Sequence, residues 1–428
     1  MTESAEIGHA ERGWVTHFLP CPDGVDRPFL VKRPPNFDPG RSYPLLFSLH
    51  GGVMRPGLEV DSRPAKLDPI WGWGVDEGLY ILVVPVTNRL APWWSDAGAE
   101  WILSVLGAVR KMVNVDERRV FCMGFSDGAS GAFYMALHHP TPFAGFICIN
   151  GGLSAASSGG HAIYPGNLRA RPLYVMNSGR DRTFAPDWVR RDIRAMELAG
   201  LRCFEQQRAI SSMGDEAEPD DGFFRHSGPK LCFHMWTDST HSPALFLTAE
   251  RSSLREFLTK TTRDPYPNEI YWETESPARG RCDWLEVDGI GRNSRRPSKR
   301  MEFADVANSA VVIQPRDWKP GGRVHARRRN NAFHVETDGV SSYSIHLSPE
   351  MVDYRKPVEI YTNGQLSFTS SPAPEVSIRE RAPGACGDSP FYDSKLSMTI
   401  PVESEHGQTL NRGASRKQIP ISLKRRLT

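Results

Sequence analysis

Gly124-Phe125-Ser126-Asp127-Gly128 sets a hydroxyl between two glycines. It follows the apolar run Val120-Phe121-Cys122-Met123 and precedes the helix-like segment Gly131-Ala132-Phe133-Tyr134-Met135-Ala136-Leu137. A serine hydroxyl is a poor nucleophile at neutral pH and needs a base, an orienting acid and donors for a developing oxyanion. A strand that turns abruptly into a helix would present Ser126, and glycines at 124 and 128 remove the side chains that would collide there. One more serine in a tight turn is the plainer reading of so short a motif, so the other parts must be found elsewhere.

Upstream, Leu49-His50-Gly51-Gly52-Val53 ends another apolar run. Backbone N–H groups at Gly51 and Gly52 are suited to hold an oxyanion together with the N–H of Asp127, the residue after the hydroxyl. His50 then holds the loop and is not the base. Downstream, the run Leu173 to Met176 leads into Asn177-Ser178-Gly179-Arg180-Asp181-Arg182, which makes Asp181 the candidate acid. The alternative, Asp187, falls in the first turn of a helix, where an acidic residue is expected for dipole reasons alone. His241, in Thr237-Asp238-Ser239-Thr240-His241-Ser242-Pro243, is the first choice for the base and His226 the second. His234 reads as a strand residue, and His138 and His139 as the end of a helix. Trp93 and Trp94, on a loop after an apolar run, are candidates for substrate contact, with packing against Trp71-Gly72-Trp73-Gly74 as the alternative.

The elements that must position these groups show as an alternation between residues 27 and 265. Pro44 to Leu49, Tyr80 to Val84, Val120 to Met123, Phe146 to Ile149, Pro172 to Met176 and Leu231 to Trp236 are near-continuous apolar runs of strand length, as in a parallel sheet covered on both faces. Between them, Trp101, Ile102, Val105, Leu106, Val109, Met112 and Val113 recur at helical spacing, Asp187 to Leu198 stops at Gly200, and Ala244 to Lys260 is a further helix. The fold class is therefore α/β with a mostly parallel sheet.

After Asp264-Pro265-Tyr266-Pro267 short β-like runs take over, and residues 266–402 are expected to form a smaller all-β, sandwich-like domain. Its best-marked feature is Asn363-Gly364 between alternating apolar residues, the signature of a hairpin with a type I′ turn. Residues 1–26 read as an N-terminal extension and 403–428 as a polar, basic, disordered tail. The clusters Arg292 to Arg300 and Arg327-Arg328-Arg329 read as solvated loops.

With 52 Lys and Arg against 50 Asp and Glu, the formal charge of +2 points away from nucleic acid and membrane surfaces as partners. Seven scattered cysteines with no Cys-x-x-Cys pair suggest neither a disulfide framework nor a zinc site, and no cofactor or metal is expected. The start of the chain has no signal-like segment, so cytoplasm is the expected compartment.

Leu49-His50-Gly51-Gly52, Val115 to Val120 leading into Gly124-Phe125-Ser126-Asp127-Gly128, Ser178-Gly179-Arg180-Asp181 and Thr240-His241-Ser242 together resemble the α/β-hydrolase-fold serine esterases. The nearest groups are the prolyl-oligopeptidase-like enzymes, poly(3-hydroxybutyrate) depolymerases and feruloyl esterases. The resemblance covers residues 27 to 260 and implies hydrolysis of a small-molecule or polymeric ester through an acyl-enzyme. Ser126 would attack, His241 would carry the proton and Asp181 would fix its tautomer. A peptidase built on the same groups, and a catalytically silent carbohydrate- or protein-binding scaffold, are the alternatives.

Overall fold

The structure, a computed structural model, describes residues 13–21, 24–54, 72–153, 159–212, 221–242, 244–291, 302–305, 310–313, 321–369 and 397–401. The polar tail 403–428 and the basic cluster at 292–300 lie outside them. The described residues fall into two units that part between Asp264 and Pro265.

The first unit is built on nine strands: β1 (Trp14–Pro20), β2 (Asp26–Lys32), β3 (Tyr43–Leu49), β4 (Ile81–Pro85), β5 (Val115–Phe125), β6 (Gly145–Ile149), β7 (Leu173–Ser178), β8 (Arg202–Arg208) and β9 (Lys230–Trp236). Their order across the sheet is β1-β2-β4-β3-β5-β6-β7-β9-β8. Pairings β1–β2 and β2–β4 are antiparallel and all the others parallel. β3, β4 and β6 are buried along their whole length, because helices cover both faces of the sheet and leave no solvated side. One apolar core lies on each face.

Three strands, β1, β2 and β8, were not read from the sequence. The sheet begins at Trp14, so residues 14 to 20 are not an extension: β1 pairs with β2 from Trp14↔Lys32 to Pro20↔Asp26. β8, Arg-Cys-Phe-Glu-Gln-Gln-Arg, carries no apolar run because it is the sheet's edge, with Arg202, Glu205 and Gln207 exposed.

Strand order reverses at β3. The chain passes from β3 to β4 on one side and returns across β3 to β5 on the other, so the loops leaving β3 and β5 diverge at the carboxyl edge. Open α/β sheets form their crevice at such a point. The helices that frame it follow from local signals. Asp96–Met112 starts at Ser95, whose Oγ accepts the Gly98 N–H at 3.1 Å, and buries Trp101, Ile102, Val105, Leu106 and Val109. Pro186–Leu198 opens on the proline, which has no N–H to leave unpaired.

The second unit holds two sheets. One joins β10 (Glu269–Thr274), β15 (Gly322–Arg329), β16 (Ala332–Asp338), β18 (Glu359–Thr362) and β19 (Gln365–Thr369); the other joins β11 (Arg281–Cys282), β12 (Leu285–Ile290), β17 (Val340–His346) and β20 (Ser397–Pro401). A short pair, β13 (Glu302–Asp305) with β14 (Ala310–Ile313), groups with the first unit. Trp284 packs edge-on to Phe333 at 5.4 Å, and the Tyr343 and Thr362 hydroxyls meet at 2.6 Å across the two sheets. These contacts make the unit a sandwich. Asn363 (φ 50°) and Gly364 (φ 81°) are both left-handed, the geometry of the type I′ turn read from the sequence.

Candidate active site

β5 sits at the centre of the sheet, and Ser126 is the first residue past its end. The backbone there is strained: Ser126 has φ 57° and ψ −121°, which a side chain rarely adopts. Surroundings impose it. The Ser126 N–H donates to the Ile149 carbonyl on β6 at 2.9 Å, and its own carbonyl accepts from Ala129 and Ser130 in the first turn of the helix Asp127–His138. A Cβ on Gly124 would overlap the backbone of Gly128, and one on Gly128 would overlap the Leu49 carbonyl. Only glycine lets strand, turn and helix come this close.

Three sequence-selected groups come together here. His241 Nε2 lies 3.0 Å from Ser126 Oγ, and His241 Nδ1 lies 2.7 Å from Asp181 Oδ2. The other carboxylate oxygen of Asp181 accepts the N–H groups of Thr183 (2.7 Å) and Phe184 (2.9 Å), which fixes the orientation of the buried carboxylate. Since Asp181 accepts at Nδ1, the proton belongs there and the Nε2 lone pair faces the hydroxyl. The imidazole is held between Phe125 (4.9 Å between centroids) and Phe184 (5.9 Å). The second-choice groups are elsewhere: His226 packs on Phe204 of β8, and Asp187 is exposed in the first turn of its helix.

The loop after β3 lies against the hydroxyl. A Cβ on Gly51 would stand 3.0 Å from Ser126 Cβ, and Gly52 has φ 71°. Asp127 is the first residue of its helix, so its N–H has no intrahelical acceptor. The Asp127 carboxylate accepts the Met54 N–H at 3.4 Å. His50 anchors the loop: Nδ1 donates to Gly51 O at 2.9 Å, and Nε2 accepts the Thr87 N–H at 3.1 Å. A ring that must accept at Nε2 is neutral. Burial lowers its pKa below the usual imidazole value, against the opposing pull of the Gly51 bond and the Asp127 charge.

Trp93 and Trp94 belong to the apolar core on one face of the sheet. Both are buried, and Trp93 donates its indole N–H to His50 O at 2.9 Å while packing edge-on to the His50 ring at 5.2 Å. An indole with a satisfied N–H is a core residue, and this one supports the glycine loop from beneath. Trp73 packs on Tyr80, and Trp71 lies outside the described residues.

Two buried clusters escaped the sequence reading. Asn150, Ser178 and Ser239 join their side chains behind the acid. Glu250, on the helix Ala244–Lys260, accepts from Tyr174 (2.6 Å), Trp236 (2.8 Å), His234 (2.9 Å) and Arg208 (3.3 Å). Burial alone would raise the Glu250 pKa, yet His234, Arg208 and the Tyr174 hydroxyl hold it below the usual carboxylate value. Asn150-Gly151-Gly152 carries a turn signal, but nothing in a linear chain pairs Ser178 with Ser239.

The first unit has the strand order and the serine-bearing turn after its central strand that are expected of an α/β-hydrolase fold. No family model matches it. Among curated proteins it is similar to a probable feruloyl esterase C of Aspergillus flavus, 28% identical over 143 residues, covering 32% of this chain and 50% of that protein. Feruloyl esterase C of Emericella nidulans is 28% identical over 141 residues, with the same 32% and 50% covered. The chain thus spans about half the length of the curated relatives it matches. A shorter likeness, 46% identity over 67 residues, covers 16% of this chain and 7% of a probable dipeptidyl-aminopeptidase B of Uncinocarpus reesii. Among solved structures, a ferulic acid esterase aligns at 16% identity with a TM-score of 0.41, covering 58% of this chain and 98% of that one. Within the described residues no helix is long and apolar enough to cross a membrane.

Proposed function

We propose that the protein is a serine hydrolase that cleaves carboxylic esters through an acyl-enzyme. The observation that carries this reading is the unbroken line from hydroxyl to imidazole to carboxylate, 3.0 and 2.7 Å long, beside a glycine loop at the sheet's carboxyl edge. Ser126 Oγ attacks the ester carbonyl as its proton passes to His241 Nε2, and Asp181 balances the imidazolium that results. The oxyanion takes hydrogen bonds from backbone N–H groups of Asp127 and the Gly51-Gly52 loop. His241 then returns the proton to the departing alkoxide, and water, deprotonated by the same nitrogen, releases the acid. A hydroxycinnamoyl ester is the first substrate to test, because relatives named feruloyl esterase match over a longer stretch than the dipeptidyl-aminopeptidase B.

The local likeness to dipeptidyl-aminopeptidases favours an amide-cleaving reading as second choice, since the same groups serve both bonds. Labelling with a fluorophosphonate, followed by assays on p-nitrophenyl acetate, methyl ferulate and peptide anilides, tests both. Expected are stoichiometric labelling at Ser126 and turnover of esters without turnover of anilides. Folded protein that neither labels nor turns over an ester would sink the proposal; anilide turnover would favour the peptidase.

A further inference from the structure

The acid and the base arrive on different strands, Asp181 after β7 and His241 after β9, so their 2.7 Å contact depends on how those two loops are joined. The backbone supplies two links: Gly179 N–H donates to Trp236 O at 2.7 Å and Arg180 N–H to Ser239 O at 2.9 Å. Gly179 is a glycine of necessity, because a Cβ there would stand 2.6 Å from the Thr237 backbone. A third link is made by side chains alone. The Ser239 hydroxyl donates to Ser178 Oγ at 2.6 Å, and Ser178 Oγ also accepts Asn150 Nδ2–H at 3.0 Å. Asn150 is itself fixed, with left-handed backbone at φ 50° and its N–H bonded to Met176 O at 2.9 Å. Asn150 and Ser178 are wholly buried and Ser239 nearly so, at 2% exposure. Buried hydroxyls that bond to each other hold direction strongly, because water cannot replace a lost partner.

We infer that Ser239 and Ser178, anchored by Asn150, are positioning residues that set the distance and angle between the Asp181 carboxylate and the His241 imidazole. This rests on the hydrolase reading above. None of the three touches the substrate or the reacting atoms; they act through the two loops. Ser239 stands two residues before His241, so a shift of its loop moves the imidazole directly. Misplacement of a reacting group by about 1 Å costs on the order of a hundredfold in rate.

The test is active-site titration with a fluorophosphonate combined with steady-state kinetics on p-nitrophenyl acetate, for wild type, Ser239→Ala, Ser178→Ala and Ser239→Thr. A positioning role predicts an unchanged number of titratable sites, kcat per titrated site lowered roughly tenfold or more in both alanine variants, and KM within about twofold. Ser239→Thr keeps the hydroxyl and should recover most of kcat. If Ser239→Ala does not fold, Ser239→Cys, similar in size and a weaker donor, carries the same comparison. Alanine variants with wild-type kcat per titrated site, or with fewer sites each of normal kcat, would overturn the inference by showing a purely structural role. Wild-type protein that does not titrate at all would instead remove the hydrolase reading, and this inference with it.

Discussion

His241 and His226 differ by their neighbours, and the difference is measurable. His241 bridges Ser126 and Asp181, while His226 sits over Phe204 on the edge strand. His241→Ala should lower ester turnover by about a thousandfold or more and slow fluorophosphonate labelling in proportion, with His226→Ala within about twofold of wild type. Equal losses in the two variants would contradict the geometry. A second residue couples to pH through stability. Asp192 is buried and accepts the Leu153 N–H at 2.9 Å; burial pushes its pKa up to about 7, against the opposing effect of that bond. Between about pH 4 and 7 the folded chain keeps a proton that the unfolded chain gives up. Stability from this group therefore falls as pH rises through that window, and the loss is complete above it. Asp192→Asn should flatten the change in Tm between about pH 5 and 8, read by thermal melts; an unchanged slope would count against it. At this scale Ser126, Asp181 and His241 were legible because each follows an apolar strand. Trp93 was not, because an aromatic pair on a loop reads alike whether it faces substrate or core.

Among the elements, the turn from β5 into its helix is the most tightly constrained. Gly128 abuts the Leu49 carbonyl and Gly124 abuts Gly128, so a methyl group at either position forces β3, β5 and the helix apart. Gly128→Ala should cost about 1–3 kcal/mol in urea unfolding and abolish labelling of Ser126, because the displaced backbone also carries the Asp127 N–H. Retained labelling at a wild-type rate would show that the packing there has slack. The same pattern explains which elements were legible. The six central strands stood out as unbroken apolar runs because both their faces are covered, and the Asn363-Gly364 hairpin stood out because only certain residues accept its φ angles. β1 and β8 went unread because strands at the margins of a sheet keep solvent on one side and need no such run, and β2 because its apolar run, Phe29-Leu30-Val31, is only three residues long.

For the whole molecule, the sequence changes texture near Asp264, from alternating strand and helix signals to short strands alone. What no linear reading supplies is how residues far apart in the chain meet: Asn150 with Ser178 and Ser239, or His234 with Glu250. Those contacts depend on strand order, and strand order is fixed by the reversal at β3. The same order determines which strands are left with unpaired backbone. β8 carries the exposed charges Arg202 and Glu205, the latter tied to Arg190 at 2.6 Å. A charged margin is a poor template for another chain to add a strand, so the protein should stay dispersed when concentrated. Neutralising it, with Arg202→Val and Glu205→Val together, should raise light scattering at high concentration while leaving fluorophosphonate labelling unaltered. In the proposed hydrolase, solubility and chemistry would be governed by different borders of one sheet.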